Sequence, residues 1–145
     1  MYPDQLVLNG DNDMPSPGIE EFAKILVEKV RDAAIQSGDR RFQANARSPV
    51  ARRWKDLARD ATPEEFAKAL IPDIVDDAMS YLLHAVDDGL LKLSYTASNA
   101  IVVDLTADGL GELAGWYGGS DGWRTMYAKE RFVDYVADLR DFFHS

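Results

Sequence analysis

A chain of 145 residues that is 46% hydrophobic and 28% charged has the size and composition of one ordinary globular domain, which argues against disorder and against a membrane protein. It contains no cysteine, so disulfides, thiolate ligands and a cysteine nucleophile are excluded; without an N-terminal apolar run, neither a secretory signal nor a spanning segment is expected, and the cytoplasm is the expected compartment. The formal charge of −9 is unevenly spread, with −5 over residues 1–39, +6 over 40–59 and −10 over 60–145, so a basic island lies between two acidic stretches that repel phosphate backbones at long range.

Residues 1–18, rich in Asp, Asn, Gly and Pro, read as an irregular arm with a short extended piece at Leu6 to Leu8. Residues 19–145 then read as a single helical domain. Ile19, Phe22, Ala23, Leu26, Val27, Val30, Ala33 and Ala34 share one side of a helical wheel, and Gly38 is the expected stop. Ser48-Pro49 opens a second helix with a serine cap and proline at its first position, turning Val50, Trp54, Leu57 and Ala58 to one face and Arg52, Arg53, Lys55 and Arg59 outward.

Thr62-Pro63-Glu64-Glu65 carries the signature of a capping box and begins a long helix to about Asp88, which Pro72 kinks or splits. On its wheel Ile74, Val75, Ala78, Met79, Leu82, Leu83 and Val86 are expected to face the core. Asp73, Asp76, Asp77, Ser80, His84, Asp87 and Asp88 form the opposite side, an acidic stripe expected to face solvent. Leu91 to Tyr95 and Ile101 to Leu105 read as a β-hairpin, within about 91–105, around the loop Thr96 to Ala100. Thr106 is read as the cap of a helix through about Tyr117, and Lys129 to Phe143 as a last helix. The expected fold is therefore mainly α (α+β): a compact bundle of five to six helices with one hairpin between the long central helix and the last two.

Between those last helices, Trp116 to Tyr127 concentrates two of the three tryptophans, two tyrosines and three glycines. Glycine permits turns and close approach, while Trp and Tyr offer rigid apolar surface with a polar handle, which suits recognition as well as core filling. Within it, Gly118-Gly119-Ser120-Asp121-Gly122 matches G-x-S-x-G, but no strand precedes the serine and the only later histidine is the near-terminal His144, so a turn between helices is the expected role.

Asp73, Asp76, Asp77 and His84 could together offer ligands to a divalent cation, yet no Glu-x-x-His pair accompanies them and a solvated face is the simpler expectation. Asn9, Asp11, Asp13 and Glu20 fall at calcium-loop positions, but Met14 stands where glycine is needed and Pro15 and Pro17 interrupt the loop. No phosphate-loop or dinucleotide pattern occurs, and with 25 acidic residues no catalytic pair can be singled out, so neither a cofactor, a metal nor a catalytic residue is expected.

Gly89-Leu90-Leu91 through Val103-Asp104-Leu105-Thr106-Ala107-Asp108-Gly109, about twenty residues, resembles the wing and following helix of winged-helix repressors. That resemblance implies a preceding helix that enters the DNA major groove. Here the preceding helix carries aspartates in place of donors, which opposes duplex binding through it. Arg40, Arg41, Arg47, Arg52, Arg53, Lys55 and Arg59, near Phe42 and Trp54, could serve RNA or an anionic ligand, or pair with the acidic surface within or between subunits. Trp54, on the apolar wheel face, is expected in the core.

Three functional expectations follow. The first is a non-enzymatic protein-interaction module whose partner is another protein, a basic one fitting best, held by Asp73, Asp76, Asp77, Ser80, His84 and Asp87 or by the aromatic segment. The second is a small-ligand binder or enzyme using Trp116, Tyr117, Trp123, Arg124 and Tyr127, with Arg124 as anion anchor. The third is a winged-helix-like nucleic-acid-associated protein. A membrane partner is not expected, nucleic acid is disfavoured, and homo-oligomers stay open.

Overall fold

In the computed structural model, which describes residues 14–135, the first helix begins where Ser16 accepts a hydrogen bond from the Ile19 amide at 3.4 Å and Pro17 occupies the first helical position. Helix α1 (Pro17–Ile25), a π-helical stretch (Leu26–Arg31) and α2 (Asp32–Arg41) form one continuous rod. Gly38 does not stop it. A Cβ there would make an ordinary contact, 3.9 Å from the Trp54 ring, so the rod simply continues through a glycine that costs a helix about 1 kcal/mol.

Helix α3 (Pro49–Asp60) is capped by Ser48, which accepts from Ala51 N at 3.1 Å. Helix α4 (Pro63–Asp87) starts at the expected capping box, with Thr62 and Glu65 exchanging hydrogen bonds of 3.2 and 3.1 Å. Pro72 neither breaks nor divides it. The proline removes the amide that the Lys68 carbonyl would accept from, and Arg131 supplies a donor instead, its Nη2 lying 2.8 Å from that oxygen.

Gly89, at φ 76°, turns the chain out of α4. Strands β1 (Ser94–Thr96) and β2 (Val102–Asp104) pair antiparallel with Tyr95 opposite Val103, and the Asn99 side chain accepts from Ile101 N in the loop. The strands are shorter than expected because Leu91 is drawn into the core and Leu105 opens the next helix. Asp104, not Thr106, caps α5 (Leu105–Asp108), accepting from Thr106 N and Ala107 N; Thr106 instead donates to the Leu91 carbonyl.

The single helix expected from Thr106 to Tyr117 is two helices. The chain reverses at Leu110 and Gly111, both at positive φ, before α6 (Leu113–Gly118), and α7 (Trp123–Tyr127) follows. From Ala128 to Asp134 the chain is not helical, so the last helix does not start at Lys129; Tyr135 is helical, and residues 136–143 of that expected helix, like the piece at Leu6 to Leu8, lie outside the described residues. Tethers explain the departure: Arg131 is held by the Lys68 carbonyl, Phe132 lies against Arg124, and Tyr135 bonds to Asp73.

The described chain is thus mostly helical, with one two-stranded hairpin. Helix α4 is its axle, packing against the rod, α3, α5 and α6. The apolar core gathers at the C-terminal half of that axle, where Val30, Ala85, Val86, Leu91 and Leu113 are buried together. No described helix is long and apolar enough to cross a membrane.

Candidate functional site

The middle of α4, from Ile71 to Ser80, is folded with its polar side inward. Asp73 is only 5% exposed and the side chains of Asp76 and Asp77 are largely covered, whereas Ile71, Ile74, Val75 and Met79 are 54%, 43%, 53% and 38% exposed. This reverses the expected orientation of both faces. From Leu82 onward the expected apolar side does turn inward, ending in the buried Val86.

Each inward carboxylate has partners that justify its place, since a buried charge is tolerated only when paired and hydrogen-bonded. Asp73 Oδ2 accepts from Trp54 Nε1 at 2.7 Å and the Tyr135 hydroxyl at 2.9 Å, with Arg53 at 3.3 Å. Asp77 takes a 2.7 Å hydrogen bond from Arg41, whose guanidinium also lies 5.1 Å from the Trp54 ring centroid. Asp76 accepts from the Tyr117 hydroxyl at 2.7 Å and from Arg124 at 2.8 Å. Asp87 caps α6 from outside, one oxygen receiving Leu113 N and the other Ala114 N, at 2.9 and 3.0 Å. The stripe therefore fastens the rod, α3, α6 and α7 to α4. Of the remaining stripe residues, Ser80 is half-buried, and exposed His84 borders a shallow cavity with Glu28 and Lys29.

Beside the exposed apolar residues of α4 runs a groove of about 510 Å³, with Ile71, Pro72 and Val75 on one side and Tyr117, Arg124, Arg131 and Phe132 on the other. Of the five aromatic-segment residues singled out in the sequence, Tyr117 and Arg124 converge here on Asp76. Trp116 and Trp123 instead contact each other with tilted rings, centroids 5.9 Å apart, with Trp123 packed on the core, and Tyr127 is 72% exposed and does not line the groove. Arg124 lies over the Phe132 ring at 4.6 Å, and its buried Nε has no hydrogen-bond partner among the described residues. The Oγ of Ser120 is likewise buried without a partner, so no described base activates it.

Among the described residues no group of three or more His, Asp or Glu side chains is placed to hold a metal ion. The basic island divides. Arg41 and Arg53 turn inward to Asp77 and Asp73, Lys55 bonds to loop carbonyls, and Arg59 pairs with Asp56 and Asp60 on the surface. Arg53 and Lys55 thus depart from the outward placement their wheel positions suggest, because each finds an acceptor across the helix. Trp54 is in the core, as its wheel position indicates.

Two phenols in this network hold their protons strongly. Burial, followed by the hydrogen bond to the Asp76 carboxylate, pushes Tyr117 up to about 12, and burial together with Asp73 does the same for Tyr135 against the opposing pull of Arg53. The folded values lie above the ordinary 10.0, so the stabilisation is fully present below pH 10 and is lost as pH rises through 12. A spectrophotometric titration should find both tyrosines ionising near pH 12, and Tyr117→Phe should remove one phenol from that late phase. Ionisation of both near pH 10 in the folded protein would contradict the network.

The apolar face of α4 and the roles of Arg131 and Phe132 were missed from sequence. The available signal was the number of counterparts: Trp54, Arg41, Arg53 and Arg124 match the carboxylates that turn inward. Comparison with protein-family models, with curated proteins and with solved structures yields no match.

Proposed function

We propose that the protein is a non-enzymatic interaction module that receives a basic amphipathic segment of another protein on the outer face of α4. The observation that carries this reading is the reversed polarity of the helix: four aspartates are engaged within the chain while Ile71, Ile74, Val75 and Met79 face solvent. Their i, i+3, i+4, i+8 spacing makes one stripe, roughly 12 Å long at about 1.5 Å per residue. Contiguous exposed apolar surface of this kind is the ordinary mark of a binding face, and a stripe beside a groove suits a partner helix of about two turns.

Net charge supports a different chain over a second copy. Two copies at −9 each repel, whereas a basic partner is attracted, so electrostatics favours a heterologous complex.

Site-specific crosslinking tests the reading. A photoreactive residue in place of Val75 is expected to trap one polypeptide in the cells of origin, the crosslinked peptide mapping to a basic amphipathic segment. Ile71→Glu, at an exposed position, should abolish the adduct without moving the thermal midpoint. An adduct with a second copy of the chain, or one indifferent to Ile71→Glu, would overturn the proposal.

A further inference from the structure

The turn from α2 into α3 holds a feature unrelated to the α4 face. Ser37, Arg40, Arg41, Ala46, Arg47 and Ser48 line a surface cavity of about 330 Å³ in which every charged lining group is a guanidinium. Arg41 is paired with Asp77 beneath it, but Arg40 and Arg47 make no ion pair among the described residues. In a chain with 25 acidic and 16 basic residues, two arginines that line one cavity with no lining carboxylate concentrate positive charge there. Their mutual repulsion is relieved by an anion from outside.

The cavity is also pre-shaped. Phe42 N, Gln43 N and Ala46 N bond to the carbonyls of Asp39, Arg40 and Gln43, which folds the connection into successive turns. Lys55 holds that connection from α3, its ammonium donating to the Ala46 carbonyl at 2.7 Å and the Ala44 carbonyl at 3.3 Å, and adds a further positive charge nearby. Ser48 both lines the cavity and caps the twelve-residue α3, so the positive end of that helix dipole lies at its margin. Arginine forks, serine hydroxyls and a helix N-terminus are donors only or donors by choice, a set matched to a tetrahedral oxyanion with several acceptor oxygens.

We infer that this cavity binds a phosphate group, free or carried on a small molecule, with Arg40 and Arg47 as its principal donors. Its volume suits one small ligand, near the lower end for such sites. A long polyanion is disfavoured because its charge would run beyond the cavity, over more than the Debye length of about 10 Å, onto an acidic protein.

Inorganic phosphate, phenyl phosphate and a single-stranded RNA oligomer should be titrated into the intact protein by calorimetry, each against chloride at matched ionic strength. Phosphate or its phenyl ester is expected to bind saturably and to raise the thermal midpoint; binding by the ester alone would identify a carried phosphate group. Arg40→Gln and Arg47→Gln should each weaken binding by roughly tenfold. Neither change should alter the midpoint measured in chloride, since neither side chain is in an ion pair among the described residues. Binding no better than chloride, binding that survives the double substitution, or RNA binding without phosphate binding would each overturn the inference.

Discussion

Trp54→Ala is expected to destabilise the fold by about 4 kcal/mol, read as a fall in the urea midpoint at unchanged slope. The indole is 1% exposed, with Phe42 at 5.2 Å, Arg41 at 5.1 Å and the Asp73 carboxylate at 2.7 Å. Truncation removes a large buried side chain, opens a cavity between the rod and α3, and takes a donor from a buried charge. The apolar and polar contributions can be separated. Trp54→Phe keeps most of the ring volume but loses the N–H, and a double-mutant cycle with Asp73→Asn should return a coupling of about 1 kcal/mol or more. A loss below about 1 kcal/mol for Trp54→Ala would show that α3 is not locked to α4 in this way.

Gly122→Ala should cost about 3 kcal/mol although glycine's conformational freedom is not at issue there. Its φ of −84° is open to any residue; the obstacle is space. A Cβ would fall 2.2 Å from the Trp116 carbonyl oxygen and within about 3 Å of the Gly119 backbone, atoms that move only if α6 and α7 move apart. That separation would displace Tyr117 and Arg124 from Asp76, so the late-ionising Tyr117 should be lost together with stability. Gly118→Ala is the internal control, since nothing lies within 4 Å of its added carbon. Equal stability of the two variants in thermal melts would refute the steric account.

The glycines between α6 and α7 therefore permit a tight backbone crossing that sets the spacing of two polar side chains. The serine among them is a bystander. Among the described residues its surroundings lack the partner that a nucleophile requires, and a literal motif match carries no chemistry without that geometry.

Helix α4 shows most clearly where sequence reading succeeds and where it stops. Its start is written in four residues, Thr62 to Glu65, whereas the Lys68 carbonyl that Pro72 leaves without an amide is met by Arg131, sixty-three positions from Lys68. The wheel of its middle correctly separates apolar from acidic positions but carries no label saying which side meets the core. Burial of hydrophobic groups is the stronger prior, so the acidic side is assigned to solvent. Four pairings reverse that choice by making the carboxylates cheaper to bury than the wheel implies: Trp54 at a separation of 19 residues, Arg41 at 36, Arg124 at 48 and Tyr135 at 62.

The candidate groove is legible to a similar extent. Tyr117 and Arg124 stand out in the sequence because the segment around them is so biased, but on the opposite wall Val75 is hidden under the assumption that it is core, and Ile71 is assigned no role. By itself the sequence determined the mainly helical class with one hairpin, the caps at Ser48 and Thr62, and the hairpin loop that holds Asn99, because each rests on interactions spanning two to four residues, whereas the Ser16 cap was not read from it. Only the tertiary structure decided which face of α4 points inward, where the aspartates find partners and which apolar residues are left exposed, because those outcomes depend on charges and donors brought together from distant parts of the chain.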